Sequence, residues 1–215
     1  MLLKRGEEEG HKIGVIKNSE ARAEFSRKYE TDVYSHKGKI KPLKFISPEF
    51  VHNLKRPNGI VLSGSAGEKV QSTAAMFAEA ALMSGLEVTQ KNDNPVTQGS
   101  GFSLSEVIIS PEEINYTGVA TADYVIVVSE NGLKEIKSQD IFNRINDRSI
   151  FIVDDSLVIE NKGLNVISLP LRKYCGGDKA AVGAIDYIIR KFDPFPYEAF
   201  KQLLEKRFGE YDKIF

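Results

Sequence analysis

Between a short apolar run and an alanine-rich segment the chain places Gly64, Ser65, Ala66, Gly67, Glu68 and Lys69. Small residues there let a ligand approach the backbone. The free N–H groups at the start of a following helix lie at the positive end of its dipole, so the chemistry on offer is anion binding. Lys69 falls in the first helical turn, where a cation opposes the dipole unless an anion or a carboxylate is close; Glu68 beside it pulls the other way. The spacing matches neither the dinucleotide fingerprint GxGxxG nor the phosphate loop GxxxxGK[ST]. Two readings stay open on spacing alone. One is a phosphate cradle; the other is a tight turn whose small residues let a helix lined by Ala74, Ala75, Ala78, Ala80 and Ala81 pack closely on a sheet.

Other residues offer less. Asp154 and Asp155 end an apolar run, where paired carboxylates hold Mg²⁺ or act as a base, but capping of the next turn with Ser156 is the preferred assignment. Cys175 precedes two glycines near a helix start, a setting that can lower a thiol pKa, yet a lone cysteine is far more often inert. One cysteine excludes an intrachain disulfide, a four-cysteine zinc site and an iron–sulfur cluster ligated by this chain alone. His11, His36 and His52 stand at no metal-binding spacing. The basic stretch HKGKIKPLK (36–44) lacks a nucleic-acid-binding fold around it and suits a solvated connector or a subunit contact. With 29 Lys and Arg against 30 Asp and Glu, net charge −1, no global field draws the chain to nucleic acid or an anionic membrane. No apolar run is long enough to span a bilayer, and the N-terminus turns acidic where a signal peptide needs its apolar core; a cytoplasmic protein is expected.

The elements that must position these residues begin at 59. Apolar runs 59–64, 122–129, 149–156 and 164–171 alternate with helical segments 70–85, 131–145 and 177–192, as in a parallel sheet built from βα units. The run 122–129 is expected at the sheet centre, and Gly85 supplies the left-handed cap of the first helix. EVTQ (87–90) starts another strand, 91–101 is a polar loop, and FSLSEVIIS (102–110) alternates like a strand with one exposed face. The expected fold class is α/β: a Rossmann-like, mostly parallel sheet with helices on both faces, an extended N-terminal arm and a C-terminal helix. The domain boundaries follow composition. Residues 1–56 form a charged, proline-broken arm with short helices at 19–30 and 47–54, 57–192 the α/β domain, and 193–215 an amphipathic helix with Phe200, Leu203, Leu204 and Phe208 on one stripe. Phe192, Phe195, Tyr197, Phe200 and Phe208 are expected to cover the domain or a partner.

The stretch GSAGEKVQSTAAMFAEAALMSGLEVT resembles the opening of the gamma subunit of 2-oxoacid:ferredoxin oxidoreductases, whose pattern is G-x-G-G-Q-G, an Ala-rich helix and a strand. NDNPVTQGSGFSLSEVIIS resembles the family's Gly-Pro and Arg-Gly-Gly loop with its strand. ADYVIVVSENGL is similar to P-D-Y-V-I-x-L, and SIFIVDDSLV to G-x-x-I-x-N-S-x-L. The four segments keep the family's order over residues 59–192. The resemblance implies a non-catalytic α/β subunit that packs against alpha and beta subunits binding thiamine diphosphate and Mg²⁺, with iron–sulfur clusters on the beta or a ferredoxin-like delta subunit. The complex would oxidatively decarboxylate a 2-oxoacid such as pyruvate, form acyl-coenzyme A and reduce ferredoxin. It further implies that Gly64, Ser65, Ala66, Gly67 and Lys69, with Gln98, Gly99 and Ser100, face coenzyme A. The loop departs from the pattern at Ala66, Glu68 and Lys69, and Gln98 stands where the family has Arg, changes that on balance disfavour phosphate. Residues 28–50 are faintly similar to a beta-subunit tail, as a fused or split chain would give, and a homodimer contact is allowed for. The alternative on residues alone is a free-standing nucleotide- or anion-binding regulatory module.

Overall fold

Runs such as Ile60–Leu62 and Val125–Val127 are apolar at consecutive positions, so a strand built from them must be covered on both faces. The computed structural model describes residues 48–93, 101–159 and 163–209. They form β1 (Asn58–Ser65), α1 (Val70–Met83), β2 (Glu87–Asp93), β3 (Phe102–Ser110), β4 (Tyr124–Val127), α2 (Glu130–Ser138), β5 (Ile150–Asp154), β6 (Asn165–Leu169), α3 (Leu171–Cys175), α4 (Ala180–Phe192) and α5 (Tyr197–Phe208). The sheet order is β2-β3-β1-β4-β5-β6. The pairs β1–β4, β4–β5 and β5–β6 are parallel, whereas β3 runs antiparallel to both β1 and β2. This is the expected mostly parallel α/β sheet with one reversed strand, and β4 lies in its interior as expected.

Strand alternation divides the core. Ile60, Leu62, Ile126 and Ile152 pack with α1, α4 and α5 on one face; Val61, Val125, Val127, Phe151 and Val153 pack with Leu133 and Ile136 of α2 on the other. Alanines at 74, 80 and 81, all fully covered, bring α1 close to the sheet and leave room for Phe77, whose ring meets Phe195 at 5.3 Å between centroids. Gly85, at φ +80°, ends α1 in the left-handed conformation its sequence called for. Phe195 and Phe200 are completely buried, so these aromatics cover the domain itself.

Several expectations are corrected. β3 does not have an exposed face: eight of its nine residues are buried, because the strand is inserted between β1 and β2 beneath helices on both sides. β2 and β3 pair antiparallel, and β2 continues to Asp93 where a loop was expected from residue 91, since pairing of Lys91 with Glu106 and Asn92 with Ser105 draws polar residues into the strand. The helix expected over 131–145 stops at Ser138 and resumes as a 3₁₀ turn at Ile141–Asn143, broken by Asp140 at φ +57°. A 3₁₀ turn at Gly177–Lys179 precedes α4, and α3 had no counterpart in the reading of the sequence. No helix forms over 48–54; Glu49 and Phe50 donate their backbone N–H groups to Met83 O, and Asn53 donates to Pro194 O, strapping this segment to the domain. The short helix expected at 19–30 lies outside the described residues, as does the end of the C-terminal helix expected beyond Gly209.

Candidate functional site

The parallel strands β1, β4, β5 and β6 all end on one edge of the sheet, where ligands of such sheets bind. The turn after β1 is the natural place for an anion. Its backbone departs from the helical entry its sequence suggested: Lys69 sits at the N-cap with φ +55°, outside the first turn of α1, and Gly67 takes φ +91°. Gly64, Ser65, Ala66, Gly67 and Lys69 are brought together in this turn. Gln98, Gly99 and Ser100 lie outside the described residues; Gly101, which follows them, accepts a hydrogen bond from Ala66 N at 3.1 Å.

The anion position of the turn is filled from within. Glu68 folds back so that Oε2 accepts the Ser65 N–H at 2.6 Å, and the side chain is nearly buried, with the residue 8% exposed. Its Oε1 is ion-paired with Nη1 of Arg172, which also donates to Val128 O at 3.2 Å. Arg172 is held by its backbone N–H, which donates to Asp154 Oδ2 at 2.7 Å. Two glycines make room for the pair: a Cβ on Gly64 would lie 2.8 Å from Glu68 Oε2, and one on Gly177 would lie 2.8 Å from Arg172 Nη2. Lys69 Nζ reaches Asp178 Oδ2 and lies 5.8 Å from the centre of the Phe208 ring. The cation at the N-cap is therefore matched by a carboxylate of the protein, and a further cation, Lys179, lies over the same Phe208 ring at 5.6 Å and also acts on Asp178.

Strand β4 contributes through the start of α2. Ser129 and Ser65 share a hydrogen bond between hydroxyls at 3.0 Å, Asn131 Nδ2 donates to Ser65 Oγ at 3.2 Å, and Ser63 Oγ donates to Gly132 O at 3.0 Å. Gly132 lets α2 lie directly on the backbone of Ser63 and Gly64. Asp154 is fully buried and accepts from Ser156 N at 3.1 Å, the capping role preferred for it. Cys175 is not at a helix start but at the end of α3, and burial, with Asp186 and Asp154 adding to it, pushes its thiol up to about 11. Among the described residues no group of three or more His, Cys, Asp or Glu is placed to hold a metal ion, and no helix is long and apolar enough to cross a membrane.

Two further polar clusters lie away from the turn. Glu106 of β3 is 1% exposed; it accepts from Val119 N at 2.6 Å, meets Lys91 Nζ at 3.3 Å and is ion-paired with Arg144. Burial pushes its pKa up, but the hydrogen bonds from Arg144 and Val119 and the charges of Arg144 and Lys91 outweigh that and hold it below the usual value. At the opposite, amino end of β1 and β4, Asp123 accepts from Gly59 N at 2.8 Å and pairs with Arg56 at 2.7 Å beside a cavity of about 290 Å³.

A family model described as pyruvate ferredoxin/flavodoxin oxidoreductase matches residues 59–214, most of the chain. The chain belongs to this family. Within the oxidoreductase family, the 2-oxoglutarate synthase subunit KorC of Archaeoglobus fulgidus is 26% identical over 111 residues, which cover 52% of this chain and 57% of the relative. Solved structures with the same fold include a 2-oxoglutarate:ferredoxin oxidoreductase from Magnetococcus marinus with 2-oxoglutarate, coenzyme A and succinyl-CoA bound. It has a TM-score of 0.61 and 21% identity, over 72% of this chain and 27% of that one. The gamma subunit of a keto/oxoacid ferredoxin oxidoreductase from Geobacter sulfurreducens gives 0.56 and 19%, over 70% and 86% of the two chains. Pyruvate oxidoreductase subunit PORC from Thermotoga maritima gives 0.57 and 21%, over 74% and 90%. The chain thus spans little more than half of its curated relative and about a quarter of the Magnetococcus chain. In this member of the family a carboxylate of the chain itself, Glu68, takes the Ser65 N–H and pairs with Arg172 beside it.

The residues at the turn that the sequence left unmarked are Arg172, Asp178, Ser129 and Gly132. Glu68 was visible as a charge adverse to phosphate, but its partner is 104 residues away, and no local pattern announces such a pairing.

Proposed function

We propose that this chain is a gamma-type subunit of a 2-oxoacid:ferredoxin oxidoreductase, and that it supports catalysis without supplying a reacting group. The observation that carries this is the family match across 59–214. The charge pairing at the strand ends, Glu68 with Arg172 and Lys69 with Asp178, fits a supporting role. In this reading the alpha and beta subunits, with a ferredoxin-like delta subunit or ferredoxin as electron acceptor, carry thiamine diphosphate, Mg²⁺ and iron–sulfur clusters. The complex works in the cytoplasm. Residues 1–56 and 193–215 serve as flanking segments of the 57–192 domain. Gly64–Gly67 and Lys69, expected to face coenzyme A, here form a structural turn that holds α1, α2 and α3 together at the sheet edge, and coenzyme A phosphates are bound elsewhere in the complex.

Co-purification tests the assignment. The tagged full chain, expressed with its natural neighbours, is expected to bring down larger subunits with visible iron–sulfur absorbance and thiamine diphosphate detectable by mass spectrometry. A colourless homo-oligomer lacking both would overturn it and return the chain to the class of free-standing regulatory modules.

A further inference from the structure

A strand-to-helix turn collects oxyanions because its N–H groups converge, and a carboxylate oxygen satisfies them as a phosphate oxygen does. In this chain the carboxylate is covalently present. Glu68 Oε2 lies 2.6 Å from Ser65 N, and the other oxygen is neutralised by Arg172. Two more N–H groups of the turn are also engaged: Ala66 N donates to Gly101 O and Glu68 N to Ser65 O, both at 3.1 Å. The pair lies close against two glycines: a Cβ on Gly64 would lie 2.8 Å from Glu68 Oε2, and one on Gly177 2.8 Å from Arg172 Nη2. An incoming phosphate would have to displace a nearly buried carboxylate from both an N–H and a guanidinium, or else sit against its negative charge. Lys69, a second cation at the turn, is paired with Asp178, which Lys179 also approaches.

We infer that Glu68 is a built-in anion that makes the turn of residues 64–69 exclude phosphate groups, so that in this chain specificity at the sheet edge is set by Glu68 with Arg172 as its counter-charge. The inference rests on the geometry of the turn and not on the subunit assignment above.

The test is titration of the isotopically labelled full chain with inorganic phosphate, and separately with coenzyme A, followed through the backbone amides of residues 64–69. In the native protein no saturable shift is expected at Ser65 with either ligand. Saturable shifts at Ser65 and its neighbours would overturn the inference directly, whatever any variant does. Glu68→Ala frees the Ser65 N–H and removes the counter-charge from the Arg172 guanidinium, which is already 39% exposed, and should bind inorganic phosphate about tenfold or more tightly than the native chain; Arg172→Ala added to it should abolish the gain. Glu68→Gln keeps the side-chain shape and removes only the charge, so it serves if the alanine variant does not fold, and should show a smaller gain at the same amides. A folded Glu68 variant whose phosphate binding is no tighter than that of the native protein would also overturn the inference.

Discussion

Gly132 is the third residue of α2, and a helix-propensity argument alone says that Gly132→Ala should stabilise the protein by about 1 kcal/mol. The packing says the reverse. A Cβ at this position would lie 2.7 Å from Gly64 N and from the Ser63 carbonyl carbon and oxygen, roughly 0.7 Å inside the 3.4 Å at which ordinary contact begins. All three atoms belong to the backbone of a central strand and cannot turn aside, so α2 must move outward. That movement strains the Ser63–Gly132 hydrogen bond and pulls Ser129 and Asn131 away from Ser65. Overpacking costs about 1–3 kcal/mol. A weakened buried hydrogen bond adds about 1 kcal/mol. With the propensity gain subtracted, the net loss is about 1–3 kcal/mol, a fall in Tm of roughly 2–12 °C for a chain of this size. Urea denaturation of the full chain followed by circular dichroism measures it. Gly67→Ala is the internal control: its φ of +91° disfavours a side chain, but nothing lies within 4 Å, so the loss should stay near 1–2 kcal/mol. If Gly132→Ala proves as stable as the native chain, or more stable, the close approach of α2 to β1 is not what holds this edge together.

Two further outcomes follow from a buried carboxyl and a half-buried thiol. The folded pKa of Glu106 is lowered, so its stabilising contribution is complete above the ordinary carboxylate range and is lost as pH falls through the lowered value; stability should therefore decline on acidification, and Glu106→Gln should flatten that decline while costing about 2–4 kcal/mol at neutral pH, read from denaturation curves across pH. The Cys175 thiol, raised from 9.0 to about 11, should alkylate at pH 8 about 100-fold more slowly than an unperturbed thiol, checked by iodoacetamide labelling and mass spectrometry.

What could be read from residues depended on the range over which they act. Continuous apolar runs announced β1, β4 and β5, because burial on both faces leaves that mark in any strand, and the alanines with Gly85 announced α1 and its end. The direction of β3 left no mark: its nine residues would read alike parallel or antiparallel, and only the hairpin contacts with β2 decide it. The helix expected at 47–54 failed for a similar reason, since the partners of the Glu49 and Phe50 N–H groups lie on Met83, outside the segment. At the candidate site the turn itself was visible from its small residues. Its contents were not, because Glu68 and Arg172 meet across the sheet edge, and Lys69 and Asp178 are 109 residues apart.

The reversed strand gives the sheet a seam. Through β3, β1 is joined by eight register pairs to a hairpin that closes within residues 87–110, whereas on its other side it meets β4 over four pairs that depend on a longer excursion of the chain. The N-terminal half of the sheet can thus be completed by the time Ser110 has left the ribosome, with α1 already available to cover it, and the parallel half is added to a finished edge. Partial opening of the native protein should follow the same line, parting between β1 and β4. Glu68–Arg172 and Lys69–Asp178 are contacts that cross this line, joining the first turn to the segment after β6.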